Sequence, residues 1–174
     1  MAGFCLLAAC QQNKVVPPSM ESQVDKQLAF AQLKESPDSN RGHLVVLGGT
    51  VLSAKRLKDG TRIEILQLPL DAYQAPGWER TASEGRFLAI QREFLDPATL
   101  PAGTRVTVVG EVLGATTLPL DETEYVYPTV EIKHLKVWPH MDTRRYYSPP
   151  PSMWSPYYGY GPYGPWGYPY RYWR

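Results

Sequence analysis

The sequence predicts an all-β domain, a small antiparallel five-stranded barrel of the OB-like type, flanked by a short N-terminal helix and a disordered tail. Three observations favour this fold. Five segments between residues 44 and 138 are rich in β-branched and apolar residues. Glycines stand where such strands bend, and only a short connector separates the third strand from the fourth. These elements are typical of a small barrel, and a split sandwich is the alternative architecture.

The chain has 174 residues, which leaves room for one modest domain with appendages. We divide it into an apolar N-terminal segment at 1–9, a segment with Cys10, a tether and a helix at 10–40, a barrel domain at 41–140 and a tail at 141–174. The formal charge of +1 gives no general bias toward nucleic acid or acidic partners. The tail alone is more basic, since it carries four arginines and one aspartate.

The N terminus resembles a bacterial lipobox. An apolar run over residues 2–9 ends in small residues directly before Cys10, and it is too short to cross a bilayer as a helix. In this interpretation a signal peptidase cuts after Ala9, and Cys10 becomes the acylated first residue. Gln11 rather than Asp follows, which by resemblance to the sorting rule of such proteins favours the outer membrane. No basic residue precedes Lys14, so either a basic start lies upstream or the apolar run is fortuitous.

The segment after the cysteine is predicted to be a tether followed by a helix. Residues 11–20 are polar and contain the pair Pro17-Pro18, which favours an extended spacer that lifts the domain off the membrane. A weak helix is predicted from Ser22 to Lys34, with Ser22 as its cap and a partial apolar stripe. A helix this short is stable only when it packs on the barrel.

The first two strands are predicted on either side of a hairpin turn. The first, at 44–52, contains Gly48-Gly49, which marks a bulge or a sharp bend. Lys58-Asp59-Gly60 predicts the turn, because glycine readily adopts a positive φ. In the second strand, Thr61 to Leu68, the apolar alternation changes after Ile65. Such a change needs a bulge or burial on both faces.

Three more strands are predicted after a long loop at 69–84. The third spans 85–91, the fourth 105–113 and the last 125–138, and each contains alternating apolar residues. Gly110 and Gly114 permit strong bending of the fourth strand. The strands and their glycines therefore support closure of the sheet, which removes exposed sheet edges.

The residues from 142 onward have a different composition. They hold nine of the twelve tyrosines, three of the five tryptophans, seven prolines and four glycines. Proline and glycine at this density prevent a helix or a paired strand, so we predict disorder. Aromatic rings among arginines suit a lipid headgroup interface, or contacts with envelope glycans and proteins. An extension without any selected role has the same composition.

Patterns typical of catalysis and metal binding are missing from the sequence. His43, His134 and His140 form no HExxH pair, and no cysteine remains to join them once Cys5 and Cys10 are assigned to the N terminus. No Gly-x-Ser-x-Gly elbow occurs, and the carboxylates are too scattered to pair as a glycosidase site. We therefore expect no enzyme activity, no cofactor and no metal. The near-neutral barrel also argues against nucleic acid as a partner.

Ligand binding is the alternative to a purely structural role. OB-like barrels often bind oligomers with strands two and three and the flanking loops. Side chains that could line such a face here are Arg62, Glu64, Trp78, Arg86 and Tyr127. An envelope glycan, peptide or lipid is the expected ligand of this face. Solvated strand faces and core aromatics explain the same residues without a ligand.

Several short motifs in the middle of the chain resemble the Slp family of outer membrane lipoproteins, which is named for a starvation-inducible member. In order they are Gly48-Gly49, Thr61-Arg62-Ile63-Glu64, Pro69-Leu70-Asp71, Gly85-Arg86-Phe87, Leu95-Asp96-Pro97, Val106 to Gly110, and Tyr125 to Val130 followed by Val137-Trp138-Pro139. The resemblance covers residues 10–139. Pro119 to Glu124 stands where the family usually has an Ile-Gly pair, and the tail lies outside the resemblance. It implies a lipoprotein anchored in the outer membrane through Cys10, with a non-catalytic structural or stress-related role.

Overall fold

A computed structural model describes residues 15–139, which form one five-stranded β-sheet and one short α-helix. The strands are β1 (Leu44–Leu57), β2 (Gly60–Gln67), β3 (Arg86–Gln91), β4 (Arg105–Leu120) and β5 (Thr123–Trp138). The helix α1 is Phe30–Glu35, and single 3-10 turns occur at Asp38–Asn40, Arg80–Ala82 and Pro97–Thr99. Within the described part of the chain, no helix is long and apolar enough to span a bilayer.

The strands pair in the order β1-β2-β3-β5-β4, and β4 pairs back with β1. Four of these pairings are antiparallel, whereas β3 and β5 run parallel, with Leu88 opposite Thr129. The prediction of a wholly antiparallel sheet is therefore wrong for one pair. The reason is geometric: strand directions cannot alternate all the way around a closed ring with an odd number of strands. One neighbouring pair must be parallel.

The core lies inside this ring and is built from the inward residues of all five strands. Ile63, Ile65, Phe87, Val106, Val108 and Val130 have no exposed surface. Helix α1 packs against the same core through Phe30 and Leu33, and the ring centroids of Phe30 and Phe87 are 6.1 Å apart. Burial of this kind contributes about 1.5–3 kcal/mol for each large apolar side chain. The helix is therefore held by its packing, as expected for so short an element.

Helix α1 is shorter than the sequence predicts. It begins at Phe30 and not near Ser22, and the Gln32 side chain accepts a hydrogen bond from the main-chain nitrogen of Ala29 at 3.3 Å. Before it, the Asp25 carboxylate accepts hydrogen bonds from the main-chain nitrogens of Gln27 and Leu28 at 2.9 and 3.2 Å. Such local side-chain bonds compete with helix formation, which explains the later start.

The N-terminal end of the described chain is packed on the domain. Val15 and Val16 are 1% and 5% exposed, and Val24 forms an isolated parallel bridge with Leu44 at the start of β1. This differs from the extended spacer predicted over residues 11–20, because two adjacent valines gain more from burial than from hydration.

The glycine pair in β1 allows close approach of other parts of the chain. A side chain at Gly48 would collide with Leu70, and one at Gly49 would collide with the main chain of Leu66. The bulge itself lies further on, between Val51 and Ser53. Strand β2 alternates regularly, since Ile63, Ile65 and Gln67 are all buried.

The hairpin formed by β4 and β5 is longer than predicted. Strand β4 continues past Gly114 to Leu120, and β5 starts at Thr123. Gly114 has a φ of 113° and lies at a register shift in the pairing with β5. The bend predicted at this glycine is thus a local irregularity within a continuous strand. Residues 119–124, where the family motif differs, form the tip of the hairpin.

Candidate functional site

Three of the five predicted face residues meet on the outer surface of the sheet. The Arg86 Nη1 atom in β3 lies 2.8 Å from Oε1 of Glu64 in β2. The Tyr127 hydroxyl in β5 donates a hydrogen bond to the same oxygen at 3.3 Å. Because β3 lies between β2 and β5, the Tyr127 side chain must cross β3 to reach Glu64. Tyr127 is accordingly only 2% exposed.

Neighbouring side chains complete this cluster. Ser53 in β1 donates its hydroxyl to the other Glu64 oxygen, Oε2, at 3.3 Å. The main-chain nitrogen of Arg86 donates to the hydroxyl oxygen of Tyr125 at 3.2 Å, and the rings of Tyr125 and Tyr127 meet edge to face at 4.6 Å. Both oxygens of the Glu64 carboxylate are thus occupied by partners from three strands.

The charges and hydrogen bonds of Glu64, Arg86 and Tyr127 stabilise one another. A hydrogen bond from the guanidinium to Glu64 raises the pKa of Arg86, while partial burial opposes the shift. Burial raises the pKa of Tyr127, and the charge of Glu64 and the hydrogen bond to it act in the same direction. At neutral pH the cluster therefore consists of one cation, one anion and one neutral hydroxyl, which satisfy each other. This arrangement ties strands together and leaves little binding capacity for a ligand.

The two remaining face residues lie apart from the cluster. Arg62 is half-buried on the same face of β2 as Glu64, and its side chain makes no hydrogen bond or ion pair within residues 15–139. Trp78 lies in the long loop between β2 and β3, where it contacts the first residue of β4. The structure therefore divides the predicted ligand face into two places.

Trp78 stacks against Arg105. The guanidinium carbon lies 3.7 Å from the centroid of the indole ring, and Trp78 is 57% exposed. The Arg105 Nε atom is buried and has no hydrogen-bond acceptor within the described part of the chain. Burial lowers the pKa of Arg105, and the charge of Asp71 partly offsets this. Sequence analysis missed Arg105, because nothing in the local pattern separates it from other cations at strand ends.

A cleft of about 350 Å³ adjoins this pair, and we call it the Trp78–Arg105 cleft. Its other walls come from the loop before β4 and from the end of β5: Thr99, Pro101, Ala102, Gly103, Thr104, Val137, Trp138 and Pro139. Trp138 is held in place by a hydrogen bond from its Nε1 atom to the Thr107 hydroxyl at 2.9 Å. The Thr107 hydroxyl in turn donates to the carbonyl of Gln74 at 2.7 Å, which fixes the long loop against β4.

A second, larger cleft of about 820 Å³ lies where the N-terminal segment meets the sheet. Its walls combine apolar residues with charged ones: Val16, Glu21, Val24, Asp25, Lys26, Leu28, Val46, Ala72, Tyr73, Gln74 and Trp138. At this end of the domain the Nδ1 atom of His43 lies 2.9 Å from Oδ2 of Asp25. Hydrogen bonds lower the pKa of Asp25; the bond from the main chain of Gln27 has the larger effect and the bond with His43 the smaller one.

Other predicted features can be placed only in part. Among residues 15–139, no three acidic, histidine or cysteine side chains are grouped to hold a metal ion. His134 faces Val109 across the β4–β5 pairing. The predicted cleavage residue Ala9, the acylation residue Cys10 and the aromatic tail lie outside the described residues.

Comparison with known sequences gives a consistent result. The sequence pattern of the outer membrane lipoprotein Slp family matches residues 7–173, so the match includes the tail that the predicted resemblance left out. Outer membrane protein Slp of Escherichia coli (strain K12) is 32% identical over 170 residues, which cover 95% of this chain and 85% of that protein. The uncharacterized lipoprotein YeaY of the same strain is 31% identical over 143 residues, which cover 82% of this chain and 69% of YeaY.

Comparison with solved structures gives a weaker similarity. A small single-stranded DNA-binding protein from Streptomyces coelicolor aligns with a TM-score of 0.34 and 16% identity. The alignment covers 59% of this chain and 95% of that protein.

Proposed function

Because this chain belongs to the Slp family of outer membrane lipoproteins, we propose that it is a non-catalytic envelope lipoprotein whose domain is held close to the outer membrane by acylated Cys10. The observation that carries the proposal is the burial of Val15 and Val16. If Cys10 is acylated, residues 10–14 connect the membrane to Val15, the first residue that the structure describes. A chain of that length spans at most roughly 17–18 Å.

The anchor itself would be permanent on the time scale of the cell. Acyl chains contribute about 0.8 kcal/mol for each buried methylene, and a second and third chain convert marginal binding into stable attachment. With a short connection, the domain could not sample the full depth of the periplasm. A structural role near the membrane fits this arrangement better than capture of distant partners.

A non-catalytic role is also supported by the state of the ionisable groups. In the cluster on the outer face, Glu64, Arg86 and Tyr127 satisfy each other, so none of them is a free acid, base or nucleophile. The cluster joins β2, β3 and β5, which suits an element that stabilises the sheet. We also infer that the sheet is an OB-like barrel, since its strand order closes on itself with five strands.

The anchor is tested by intact mass and membrane fractionation of the full-length chain in a Gram-negative host. We expect a mature species that begins at residue 10, carries acyl mass and fractionates with the outer membrane. The Cys10→Ser variant should be neither processed nor retained. Cys5→Ser is the matched control, because Cys5 lies in the proposed signal peptide and its loss should leave processing intact. An unprocessed and soluble wild-type chain would refute the proposal.

A second candidate function is binding of an envelope glycan, peptide or lipid by the barrel. It is favoured by the stacked pair of Trp78 and Arg105, in which a cation without an acceptor adjoins an exposed aromatic ring. Paired charges in the Glu64 cluster make that part of the predicted face a poorer candidate. A peripheral role for the tail is compatible with either function, since tyrosine, tryptophan and arginine favour lipid headgroup interfaces.

A further inference from the structure

We propose that the Trp78–Arg105 cleft binds an acidic sugar of the cell envelope, with the sugar ring on Trp78 and its carboxylate or phosphate on Arg105. This deepens the second proposed function and names its ligand class. It does not depend on the lipid anchor.

Arg105 has unused capacity to bind an anion. A guanidinium carries five N–H donors in a planar fork that matches carboxylate and phosphate groups. The Nε donor of Arg105 is buried without an acceptor among the described residues, and such a donor is costly to leave unpaired. Asp71 acts on Arg105 through its charge, but its Oδ1 atom accepts hydrogen bonds from the main chain of Tyr73 and Ala75 at 2.8 and 2.9 Å. The Nε atom itself is covered, so an external anion would bind the Nη donors of the same guanidinium, for which no hydrogen bond occurs among the described residues.

Trp78 provides an apolar surface beside this cation. Contact with the Arg105 guanidinium covers part of the ring, yet 57% of the residue remains exposed. Tryptophan side chains are highly buried on average, so a tryptophan with this much exposed surface is unusual. The apolar C–H face of a sugar ring can pack on the indole face that Arg105 does not cover. A charged substituent of the sugar would then extend past the edge of the indole to the guanidinium. The two side chains thus match the two halves of an acidic sugar.

The walls of the cleft supply hydrogen-bond acceptors for sugar hydroxyls. The Thr104 hydroxyl donates to the carbonyl of Pro101 at 2.7 Å, and the Thr99 hydroxyl donates to the carbonyl of Asp96 at 2.7 Å. Since both hydrogens are used within the loop, the lone pairs of both oxygens remain available. The volume of about 350 Å³ lies at the lower end of the range for ligand sites, which fits a single substituted sugar ring.

Other arginines in the described part of the chain lack this combination. Arg86 is neutralised by Glu64 at 2.8 Å. The Arg62 side chain has no acceptor either, but no aromatic ring of the described residues lies against it. Arg56 lies 5.3 Å from the Phe94 ring centroid and also donates to the Thr61 hydroxyl at 3.3 Å. Arg105 is therefore the arginine whose surroundings best suit an acidic sugar.

The proposal is tested by NMR titration of the full-length protein in detergent micelles. Binding is observed at the arginine Nε–H groups and at the indole N–H of Trp78, which remains as a reporter when Arg105 is replaced. The probes are glucuronate and glucose 6-phosphate, with glucose as the neutral control. We expect saturable shifts of the Arg105 signal with dissociation constants of about 1–10 mM, as is reasonable for one sugar ring. Glucose should bind at least about tenfold more weakly, because it lacks the charged group. The tighter of the two acidic probes identifies the carboxylate or the phosphate as the preferred group.

Variants separate this site from general charge effects. Arg105→Gln and Trp78→Ala should each weaken binding of the preferred probe about tenfold or more. Arg62→Ala is the matched control and should leave binding unchanged. Equal binding of glucose, unchanged binding by a folded Arg105→Gln variant, or no saturation up to about 50 mM would overturn the proposal. Trp78 is exposed, so Trp78→Ala keeps the test valid even if Arg105→Gln fails to fold.

Failure of this proposal differs from failure of the proposed anchor. Binding of the probes by a soluble Cys10→Ser chain would support the sugar site whatever the outcome of the fractionation. Correct processing and outer-membrane location without any binding would overturn the sugar site alone.

Discussion

Tyr127 and Glu64 belong to strands that do not pair with each other, yet the tyrosine hydroxyl donates to the glutamate at 3.3 Å across β3. Arg86, on the intervening strand, contacts the same carboxylate oxygen at 2.8 Å. One carboxylate thus connects the antiparallel β2–β3 pair to the parallel β3–β5 pair. Parallel pairing is slightly weaker for each residue, and here only three residue pairs join β3 to β5. The cluster reinforces this junction.

We first predict that loss of the Glu64 carboxylate destabilises the domain more than loss of the Tyr127 hydroxyl. Glu64→Gln removes a charge-assisted hydrogen bond and should lower the free energy of unfolding by about 1.5–3 kcal/mol. Tyr127→Phe removes a single long hydrogen bond of 3.3 Å and leaves the Arg86 contact in place, so it should cost only about 0.5–1.5 kcal/mol. Urea unfolding measures both. The double variant should cost less than the sum of the two single changes, and strict additivity would show that the residues are not coupled.

A second prediction concerns alkaline pH. Burial, followed by the charge of Glu64 and the hydrogen bond to it, raises the pKa of Tyr127 above 10.0. The folded state therefore retains the hydroxyl proton at pH values where the unfolded state loses it. The stability from this group is fully present below about pH 10 and is lost as pH rises through the folded pKa.

The measurement is urea unfolding of wild type and Tyr127→Phe at several pH values from neutral to strongly alkaline. Other groups titrate in the same range, so the difference between the two proteins isolates Tyr127. We expect this difference to decrease above about pH 10. If the difference in unfolding free energy stays constant with pH, the pKa of the Tyr127 hydroxyl is the same in the folded and unfolded states, and the prediction is wrong.

The extent to which the sequence predicts this structure depends on how local each feature is. Alternation of apolar residues locates all five strands, because strand periodicity is a property of neighbouring residues. The same alternation places Glu64 on the outer face of β2. The meeting of Glu64 with Tyr127 depends on β5 lying beside β3, which only the closed sheet determines.

Features that depend on loops are less predictable from the sequence. The contact of Trp78 with Arg105 follows from the path of the long loop after β2, which carries no periodic signal. The predicted start of α1 at Ser22 lies too early in the chain. The helix begins later because the Asp25 carboxylate accepts hydrogen bonds from the main chain of Gln27 and Leu28. Such competition between local hydrogen bonds and helix propensity is decided by tertiary packing.

A third prediction tests the role of the glycine pair in β1. A Cβ atom at Gly49 would collide with the main-chain carbonyl of Leu66, which cannot turn away as a side chain can, whereas at Gly77 the nearest atom lies 3.6 Å away. Gly49→Ala should therefore lower the free energy of unfolding by about 1–3 kcal/mol, the usual cost of overpacking. Gly77→Ala is the matched control and should change it by less than about 1 kcal/mol. Equal effects in thermal or urea unfolding would mean that β2 can move away from β1 at little cost.

The last prediction concerns the distance between the domain and the membrane. Tyr73 is 80% exposed and lines the same cleft as the buried Val16, so a label at Tyr73→Cys should lie close to lipid headgroups if Cys10 is acylated. Phe94 lies beside Arg56, near the opposite end of β1 from Val46 of that cleft. Arg56 lies ten residue steps after Val46 along β1, which is at most roughly 33 Å at about 3.3 Å each. Spin-labelled headgroups should therefore quench a fluorophore at Tyr73→Cys more strongly than one at Phe94→Cys.

Substitution of Val15 and Val16 by serine should release the N-terminal segment, lengthen the connection and weaken the quenching at Tyr73→Cys. Equal quenching at both labels, unaffected by the serine substitutions, would contradict a domain held with this end toward the membrane.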